Sequence, residues 1–339
     1  MSATMRAMVL ERSAPVASAP LALCELPVPE PGPGELRIRV SVCAVCRTDI
    51  HVVAGELPPG RRPLVPGHQT VGVVDALGAG VAAPALGTRV GAAWMQGTCG
   101  TCRFCASGRE NLCETPRFGG HHVDGGYAEY ALVPAAWAYA LPDGFDDVAA
   151  APLLCAGIIG WRALRLCGVR PGQRLGLYGF GASAHIVIQL ARAQGCQVYV
   201  ASLRATHRRL AEELGAVWTG PADALPPVAL DAAILFAPAG ELVPPALRAL
   251  DRGGTLACAG IHMSPIPRID YDTELFGERV LRSVTANTRA DGEEFLREAA
   301  RIPVRTHTTL YDLADANRAL ADLEAGRFDG AAVLRVRAG

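Results

Sequence analysis

Hydrophobic and polar residues follow two different patterns along the chain. Up to about residue 156, short apolar runs such as ELRIRVSVCAV (35–45) are interrupted by glycine and proline. Such runs predict short strands, so this region is predicted to be an irregular β domain. Beyond it, apolar runs such as RLGLYGF (174–180) alternate with amphipathic stretches such as SAHIVIQLARAQG (183–195). This alternation predicts βαβ units around a parallel sheet that is buried on both faces.

The second pattern continues through several predicted elements. Further strands are predicted at 197–202, 231–238, 254–260 and 279–287, and a further helix at 205–215. In the helix 183–195, Ile186, Leu190 and Ala193 share one face and are expected to pack on the sheet. The tail predicts two helices and a final strand. We therefore expect an α/β fold with a catalytic β domain (1–156), a nucleotide-binding domain (157–290) and a C-terminal segment (291–339) that returns to the first domain.

Composition narrows the class of protein. The chain has 339 residues, of which half are hydrophobic, and 32 Lys+Arg against 33 Asp+Glu. With no excess of positive charge, neither nucleic acid nor an anionic membrane is an expected partner. The N-terminal residues lack the apolar core of a signal peptide, and the longest apolar run, Val148–Trp161, is too short to span a bilayer. We expect a cytoplasmic protein.

Four of the eleven cysteines lie in one short stretch, CGTCRFCASGRENLC (99–113). Cys99, Cys102, Cys105 and Cys113 are separated by two, two and seven residues. This spacing is typical of a tetrahedral zinc site, and four thiolates leave no open position for substrate. We therefore predict a structural zinc lobe; a redox cluster or plain buried thiols are the alternatives.

A glycine-rich turn follows the predicted strand 174–180 and opens the next helix. Its residues are Gly179, Phe180, Gly181, Ala182, Ser183 and Ala184, which fit the pattern G-x-G-x-x-A. In dinucleotide-binding folds the first glycine makes the tight turn and the second lets the backbone approach the pyrophosphate. The positive end of the helix then faces the phosphates. This turn predicts NAD or NADP binding.

The end of the following strand bears on which cofactor is bound. NAD-binding sites carry an Asp or Glu there, which binds the ribose 2′-hydroxyl. This chain has Ser202 at that place, followed by Arg204, with Arg208 and Arg209 further on. Without a carboxylate, and with a guanidinium in reach of a 2′-phosphate, NADP is favoured. If Arg204 instead faces solvent, either cofactor would bind.

Seven segments together resemble the zinc-dependent medium-chain alcohol dehydrogenases over almost the full length. They are CAVCRTDIH, VPGHQTVG, the four-cysteine lobe, GGYAEY, APLLCAG, GFGASAH and DGAAVL. The details are closest to the bacterial propanol-preferring members of that family. The resemblance implies a GroES-like catalytic domain joined to a Rossmann domain with a doubly wound parallel sheet.

The resemblance also implies a second, catalytic zinc ion, and so two zinc ions per subunit. Cys46, His68 and Cys155 would bind it, and the fourth position would stay open, as in the alcohol dehydrogenase example that defines this ligand set. Cys43 is a rival to Cys46, but the family's ligand directly precedes the Arg-Thr-Asp segment. Cys43 is then expected to be a buried strand thiol.

A proton relay is implied next to this zinc site. Thr48 would accept the alcohol proton, and His51 would pass it through the cofactor ribose to solvent, since imidazole titrates near neutral pH. Asp49 would orient His68 as a hydrogen-bond acceptor. Arg47 would pair with the cofactor pyrophosphate.

Two positions depart from the family pattern, and two others bear on substrate size. Gln69 stands where the family commonly has Glu, which removes a negative charge near the metal. Ala331 follows Gly330 where an Arg often contacts the phosphates. Trp94 matches a family pocket position, where its indole would narrow the space over the zinc. With Leu57, and Leu154 or Ile158, as apolar lining, this favours primary alcohols or aldehydes of modest size; Trp94 could equally be a core residue.

The expected function is a zinc-dependent alcohol dehydrogenase or aldehyde reductase. Its expected partners are a small alcohol or aldehyde and further copies of the chain, as a dimer or tetramer. One alternative is a metal-independent quinone or enoyl reductase of the same superfamily, which would lack the metal ligands. The other is a catalytically silent nucleotide-binding protein, which would have no use for the Thr48–His51 relay.

Overall fold

The structure is a computed structural model that describes residues 3–337. Its strands, in chain order, are β1 (Thr4–Leu10), β2 (Leu21–Pro27), β3 (Glu35–Val45), β4 (Thr70–Leu77), β5 (Arg89–Ala92), β6 (Met95–Gly97), β7 (Arg117–Phe118), β8 (Tyr130–Pro134), β9 (Ala138–Ala140), β10 (Arg174–Tyr178), β11 (Gln197–Ala201), β12 (Trp218–Gly220), β13 (Leu230–Leu235), β14 (Leu250–Cys258), β15 (Val280–Ser283), β16 (Thr308–Asp312) and β17 (Ala331–Arg335). Its α-helices are α1 (Arg47–Ala54), α2 (Arg103–Ala106), α3 (Asp147–Ala150), α4 (Ala156–Cys167), α5 (Ala184–Ala193), α6 (Ala205–Glu213), α7 (Val243–Ala249), α8 (Arg289–Arg301) and α9 (Ala316–Ala325).

The chain divides into two compact units. The first comprises 1–155, 287–297 and 306–339, and the second comprises 156–286 and 298–305. The C-terminal region thus belongs largely to the first unit. The segment 298–305, which the sequence analysis assigned with 291–339 to the first domain, belongs to the second unit instead.

The first unit is built on a mixed, largely antiparallel sheet. Its strands follow the order β16-β17-β3-β4-β5-β9, and β8 also pairs with β3. Along β3, Leu36, Ile38 and Val40 alternate with more exposed residues, so one face of the strand packs on the core. From Cys43 to Val45 every residue is buried. Cys46, the next residue, is therefore held in place by the buried end of this strand.

The second unit contains the predicted parallel sheet. Its strand order is β12-β11-β10-β13-β14-β15, and all neighbouring strands are parallel. Counted within the unit, this order is 3-2-1-4-5-6, which is the doubly wound order of dinucleotide-binding folds. The chain reverses its direction of winding between β10 and β13, and ligands of such sheets bind in the crevice there.

Most elements predicted for the second unit are present, and several of them are shorter than predicted. Helix α5 buries Ile186 and Leu190 completely, but Ala193 is exposed, because the predicted face does not extend into the last turn. Strand β14 begins at Leu250, four residues before the predicted start. The tail contains one strand more than predicted, β16, which pairs with β17.

No single helix within residues 3–337 is long and apolar enough to cross a membrane. One bent pair of helical segments, Asp147–Leu154 with Ala156–Cys167, reaches the length and apolar composition of a membrane span, on those two criteria alone. Both members of this pair contain many buried residues.

Candidate active site and metal centres

Cys46 lies at the point where β3 gives way to helix α1. Its thiol sulfur accepts a hydrogen bond from the backbone N–H of Thr48 (3.2 Å), and its own N–H donates to Asp49 Oδ2 (2.9 Å). These two bonds satisfy backbone donors at the start of the helix and fix both side chains. The helix therefore begins at Arg47 because Cys46 caps it.

Asp49 also fixes the orientation of His68. Its Oδ1 lies 3.0 Å from His68 Nδ1, and both side chains are about 1% exposed. Because the carboxylate can only accept hydrogen bonds, Nδ1 carries the proton, and Nε2 is the ring atom that can bind a metal. That Nε2 lies 3.3 Å from Cys46 Sγ.

Cys155 completes a cluster with Cys46 and His68. The Sγ atoms of the two cysteines and a ring nitrogen of His68 all lie within 4.8 Å of one another. Cys155 directly follows a short turn, Ala151–Leu154, that is entirely buried. Two sulfurs and one imidazole from three distant parts of the chain therefore meet at one point.

The charges at this cluster suit metal binding. Hydrogen bonding from Cys155 and the charge of His68 lower the pKa of Cys46 well below its ordinary value, although burial opposes this. Burial alone would lower the pKa of His68, but the charges of Asp49 and Cys46 outweigh it and raise that pKa. Without a metal these shifts favour a thiolate next to a protonated imidazole, and a metal ion would displace the Nε2 proton on binding.

The donor set fits a zinc ion with an open coordination position. Zinc binds thiolate and imidazole, and catalytic zinc sites have three protein ligands with water or substrate as the fourth. Cys43 does not join the cluster. It is fully buried in β3, and its sulfur lies 3.7 Å from Thr70 Oγ1, as expected of a strand thiol.

The remaining residues of the Cys-Arg-Thr-Asp-x-His segment lie on α1. Thr48 and His51 are buried and Arg47 is exposed. His51 Nδ1 lies 2.5 Å from Glu56 Oε2, a contact that the sequence analysis did not anticipate. Leu57 is half-buried, and its N–H donates to the backbone oxygen of His51 (3.0 Å).

Aromatic rings lie against the three-ligand cluster. The Trp94 ring meets the His68 ring edge-on, with centroids 5.0 Å apart, and stacks on Phe118 at 4.7 Å. His121 lies 5.6 Å from Trp94. Phe118 and His121 were missed by sequence reasoning, because a single aromatic residue carries no pattern that marks it.

The four cysteines of the lobe form a second cluster. The ligand atoms of Cys99, Cys102, Cys105 and Cys113 all lie within 4.8 Å of one another. Three of the sulfur pairs are 3.5, 3.6 and 3.9 Å apart. Backbone N–H groups of Cys102 and Thr101 lower the pKa of Cys99 to about 6, so its thiolate form prevails at neutral pH. This set fits a closed, four-coordinate zinc site.

The lobe is tied to the start of helix α8. Glu110 Oε1 accepts a hydrogen bond from the backbone N–H of Arg289 (2.6 Å), and its carboxylate also pairs with the Arg289 guanidinium (3.0 Å). The Arg289 guanidinium in turn lies over the Trp137 ring at 4.9 Å. An acidic group at a helix N-terminus is favourable, so the lobe also stabilises α8.

The glycine-rich turn lies at the reversal point of the parallel sheet. Gly179 follows β10 with φ +86°, and a Cβ there would lie 2.9 Å from the backbone nitrogen of Ala237, which follows β13. A Cβ on Gly181 would meet no atom within 4 Å. The protein itself therefore gives no steric reason for glycine at 181, and the open space fits the approach of a dinucleotide pyrophosphate.

The rest of this turn leads into helix α5. Phe180 and Ala184 are buried, whereas Ala182 and Ser183 are half-buried. Ser183 precedes α5 without a side-chain cap, and N–H groups at such a helix start can bind anions.

Polar groups cluster at the end of β11. Ser202 is about 3% exposed, and its Oγ lies 3.3 Å from His207 Nδ1. One nitrogen of Arg208 donates to the backbone oxygens of Ser202 (2.7 Å) and Leu203 (3.0 Å). Arg204 is half-buried and occupies the N-cap position of helix α6 without a side-chain capping bond.

Both departures from the family pattern lie in buried positions. Gln69 is about 1% exposed, and its backbone oxygen accepts from the N–H of Ala44 (3.0 Å). Ala331 begins β17 at 3% exposure, and its N–H donates to the His307 oxygen (2.9 Å). The side chain at 331 is thus too short and too buried to contact phosphate.

Comparisons with known proteins agree with this architecture. The family model of the alcohol dehydrogenase GroES-like domain matches residues 32–143, and that of the zinc-binding dehydrogenase domain matches 184–301. The protein named "Probable alcohol dehydrogenase AdhA" of Mycobacterium tuberculosis is 52% identical over 340 residues, which cover 99% of this chain and 98% of that protein.

Two solved structures are similar over the whole fold. One is a cobalt- and zinc-bound thermostable alcohol dehydrogenase of Pyrobaculum aerophilum, with 29% identity, a TM-score of 0.89, and coverage of 98% of this chain and 100% of that one. The other is a candidate zinc-binding dehydrogenase of Sinorhizobium meliloti bound to NADP, with 28% identity, a TM-score of 0.89, and coverage of 99% and 100%.

The fold and the two domain matches define a two-domain oxidoreductase of the zinc-binding dehydrogenase class. The chain belongs to the zinc-dependent medium-chain alcohol dehydrogenase family. The family resemblance and the GroES-like and Rossmann fold class predicted from the sequence are confirmed.

Proposed function

We propose that this protein is a zinc-dependent alcohol dehydrogenase that also reduces aldehydes and prefers NADP to NAD. The observation that carries the proposal is the cluster of Cys46, His68 and Cys155, whose donor atoms lie within 4.8 Å of one another. Three ligands of this type leave a zinc ion one position for substrate. The second cluster supports a structural zinc ion, which gives two ions per subunit.

When bound, zinc lowers the pKa of an alcohol that it coordinates, and the nicotinamide accepts the hydride. The chain's own residues prepare for this in three ways. Asp49 holds His68 in the tautomer that presents Nε2. Thr48 is fixed beside Cys46 by its backbone N–H, which supports a role for its hydroxyl as the first acceptor of the alcohol proton. His51, one turn further along α1, would take that proton next.

Cofactor binding is assigned to the second unit and Arg47. The turn from Gly179 to Ala184 would hold the pyrophosphate, and the open space at Gly181 supports this. Arg47 is exposed, as a pyrophosphate ligand must be. Since alanine at 331 has no side-chain group that could bind phosphate, Arg47 and backbone N–H groups would supply these contacts.

The preference for NADP rests on the end of β11. Ser202 offers no negative charge to repel a 2′-phosphate, and Arg204 and Arg208 lie beside it. His207, 3.3 Å from the Ser202 hydroxyl, adds a further possible hydrogen-bond donor. The NADP-bound relative shows that a similar fold accepts this cofactor.

Substrate size is assigned to Trp94 and Leu57. Trp94 lies edge-on to His68 and is held by stacking on Phe118, so its indole would narrow the space beside the metal. This arrangement favours primary alcohols and aldehydes of modest size. Assembly into a dimer or tetramer remains a prediction from the family.

The two alternative functions make different demands on the chain. A metal-independent quinone or enoyl reductase has no need of Cys46, His68 and Cys155 at one point. A silent nucleotide-binding protein has no need of an oriented His51. The clustered donor atoms and the His51–Glu56 contact therefore both favour the dehydrogenase.

The test is removal and return of the metal. Purified protein is treated with phenanthroline and assayed on a panel of alcohols and aldehydes with both cofactors, before and after zinc is restored. We expect oxidation of primary alcohols and reduction of aldehydes to disappear and then to return, with higher kcat/KM for NADP. Full activity in protein freed of zinc would refute the proposal. Binding of cofactor without any turnover would favour the silent protein.

A further inference from the structure

The turn that follows helix α1 brings an unassigned carboxylate, that of Glu56, onto the imidazole of the proton relay. We propose that Glu56 is the positioning residue of His51: it fixes the imidazole tautomer and provides the exit by which the alcohol proton reaches solvent. This inference rests on the proposed function, since it requires His51 to carry the proton.

The backbone after α1 is shaped to return Glu56 to His51. The helix ends at Ala54, and Gly55 adopts φ 85°, a conformation that few residues other than glycine take. The N–H of Gly55 donates to the Val52 oxygen (3.2 Å), and the N–H of Leu57 donates to the His51 oxygen (3.0 Å). Glu56 is therefore held between two backbone hydrogen bonds, with its carboxylate against the ring.

The contact determines which ring nitrogen carries the proton. Glu56 Oε2 lies 2.5 Å from His51 Nδ1. An ionised carboxylate only accepts hydrogen bonds, so Nδ1 is the N–H nitrogen and Nε2 is the nitrogen with the lone pair. A base whose second nitrogen is held by a carboxylate is the arrangement found where histidine accepts protons in catalysis.

Burial differs between the two partners in the way that a proton exit requires. The His51 side chain is about 11% exposed, and that of Glu56 about 52%. When His51 accepts a proton on Nε2, the Nδ1 proton can pass to the Glu56 carboxylate and from there to water. One proton moves from the alcohol to solvent, and no electrons move in this step. Glu56 returns to its carboxylate form, and His51 is left with its proton on Nε2. Before the next turnover the ring gives up that proton and takes one on Nδ1 from water through Glu56, which restores the starting tautomer.

The contact contributes little to folding, because the Glu56 side chain is half exposed and such surface contacts are weak. Its loss should therefore be seen in the ring tautomer and in turnover rather than in the melting temperature.

Other charged groups near α1 are already engaged or lie on its exposed side. On α1 itself Asp49 pairs with His68, and Arg47 is exposed. Arg62 donates to Ser13, which lies beside Gly55. Helix α9 packs against α1 and carries three charged residues. Arg318 pairs with Asp315, Asp322 pairs with Arg327, and Glu324 is exposed. Glu56 meets the ring directly, through its Oε2 on Nδ1.

The test compares Glu56→Gln with Glu56→Asp, His51→Gln and the matched control Glu11→Gln, which removes an exposed carboxylate elsewhere in the first unit. The zinc-loaded enzymes are assayed for alcohol oxidation from pH 5 to 10. The ¹⁵N shifts of the histidine rings are recorded, and His51→Gln identifies the His51 signal. Zinc content and melting temperature are measured for each variant.

In Glu56→Gln we expect kcat/KM for alcohol oxidation to fall by about tenfold, because the imidazole loses its fixed orientation and its proton exit. We also expect the Nδ1–H tautomer to lose its dominance. Glu56→Asp should restore the rate and the tautomer in part. Zinc content and melting temperature should not change, and Glu11→Gln should match the wild type.

Two outcomes would overturn the inference, and they are distinguishable. If His51→Gln alters the profile but Glu56→Gln leaves the profile and the ring tautomer unchanged, His51 works without Glu56 and only this inference fails. If His51→Gln also leaves the profile unchanged, His51 is not in the relay, and that part of the proposed function fails as well.

Discussion

Replacement of Gly181 by alanine separates cofactor binding from fold stability. A Cβ at this position would meet no protein atom within 4 Å, and φ lies outside the left-handed region. The fold should therefore tolerate the methyl group. If the pyrophosphate approaches the backbone here, the same methyl group will obstruct it. Gly179→Ala is the contrasting variant, because the protein itself needs glycine at that position.

The structure indicates how much each variant should change the stability of the fold and the affinity for the cofactor. At Gly179, a residue with a side chain costs about 1–2 kcal/mol for the left-handed conformation. The contact at 2.9 Å with the Ala237 nitrogen adds a further cost, about 1–3 kcal/mol. At Gly181, alanine should be neutral or stabilise by about 0.4–1 kcal/mol, because it restricts the unfolded chain. A loss of cofactor affinity of at least tenfold corresponds to about 1.4 kcal/mol.

Two assays check this prediction. Urea unfolding measures the stability of both variants, and quenching of protein fluorescence by NADPH measures the dissociation constant. We expect Gly181→Ala to unfold like the wild type and to bind NADPH at least tenfold more weakly. Wild-type affinity in Gly181→Ala would show that the dinucleotide does not approach the backbone at this turn.

Three further changes test other parts of the molecule. Ser202→Asp should lower the NADP-to-NAD ratio of kcat/KM by about tenfold or more, because a carboxylate repels the 2′-phosphate; an unchanged ratio would show that the strand end does not select the cofactor. Trp94→Leu should raise kcat/KM for branched alcohols relative to short ones, and an unaltered ranking would make Trp94 a core residue only. Asp231→Asn should destabilise the protein by about 1.5–3 kcal/mol at pH 7, because Arg174 donates three hydrogen bonds to this carboxylate. The Arg174 partner lowers the folded-state pKa of Asp231, so this stabilisation is present above the unfolded-state pKa of about 3.9 and is lost as the pH falls through the lower folded-state value; a stability difference that persists undiminished in acid would contradict it.

Local sequence patterns were sufficient to predict the features that are formed by residues close together in the sequence. The four lobe cysteines lie within fifteen residues, so their spacing alone predicted a cluster, and their sulfurs do meet. The glycine-rich turn was equally local, since strand, turn and helix follow one another directly. The parallel sheet followed from alternating strand and helix patterns, which are likewise short-range.

Features that join distant residues could not be predicted from such patterns. Cys46, His68 and Cys155 are far apart in sequence, and only the family resemblance linked them. The Glu110–Arg289 contact joins residues 179 positions apart, and neither carries a signal by itself. Glu56 is only five residues from His51, but the return of the chain at Gly55 is visible only in three dimensions. The strands β12 and β16 were missed because they are short and half exposed.

Elemental analysis of the purified, active enzyme beside Cys155→Ser tests the central claim most directly, namely that Cys46, His68 and Cys155 hold the catalytic metal. The wild type should contain two zinc ions per polypeptide. Cys155→Ser should contain one zinc ion, keep its affinity for NADPH, and lose alcohol oxidation. An active wild-type enzyme with at most one zinc ion, or a Cys155→Ser enzyme with both ions and full activity, would contradict the account.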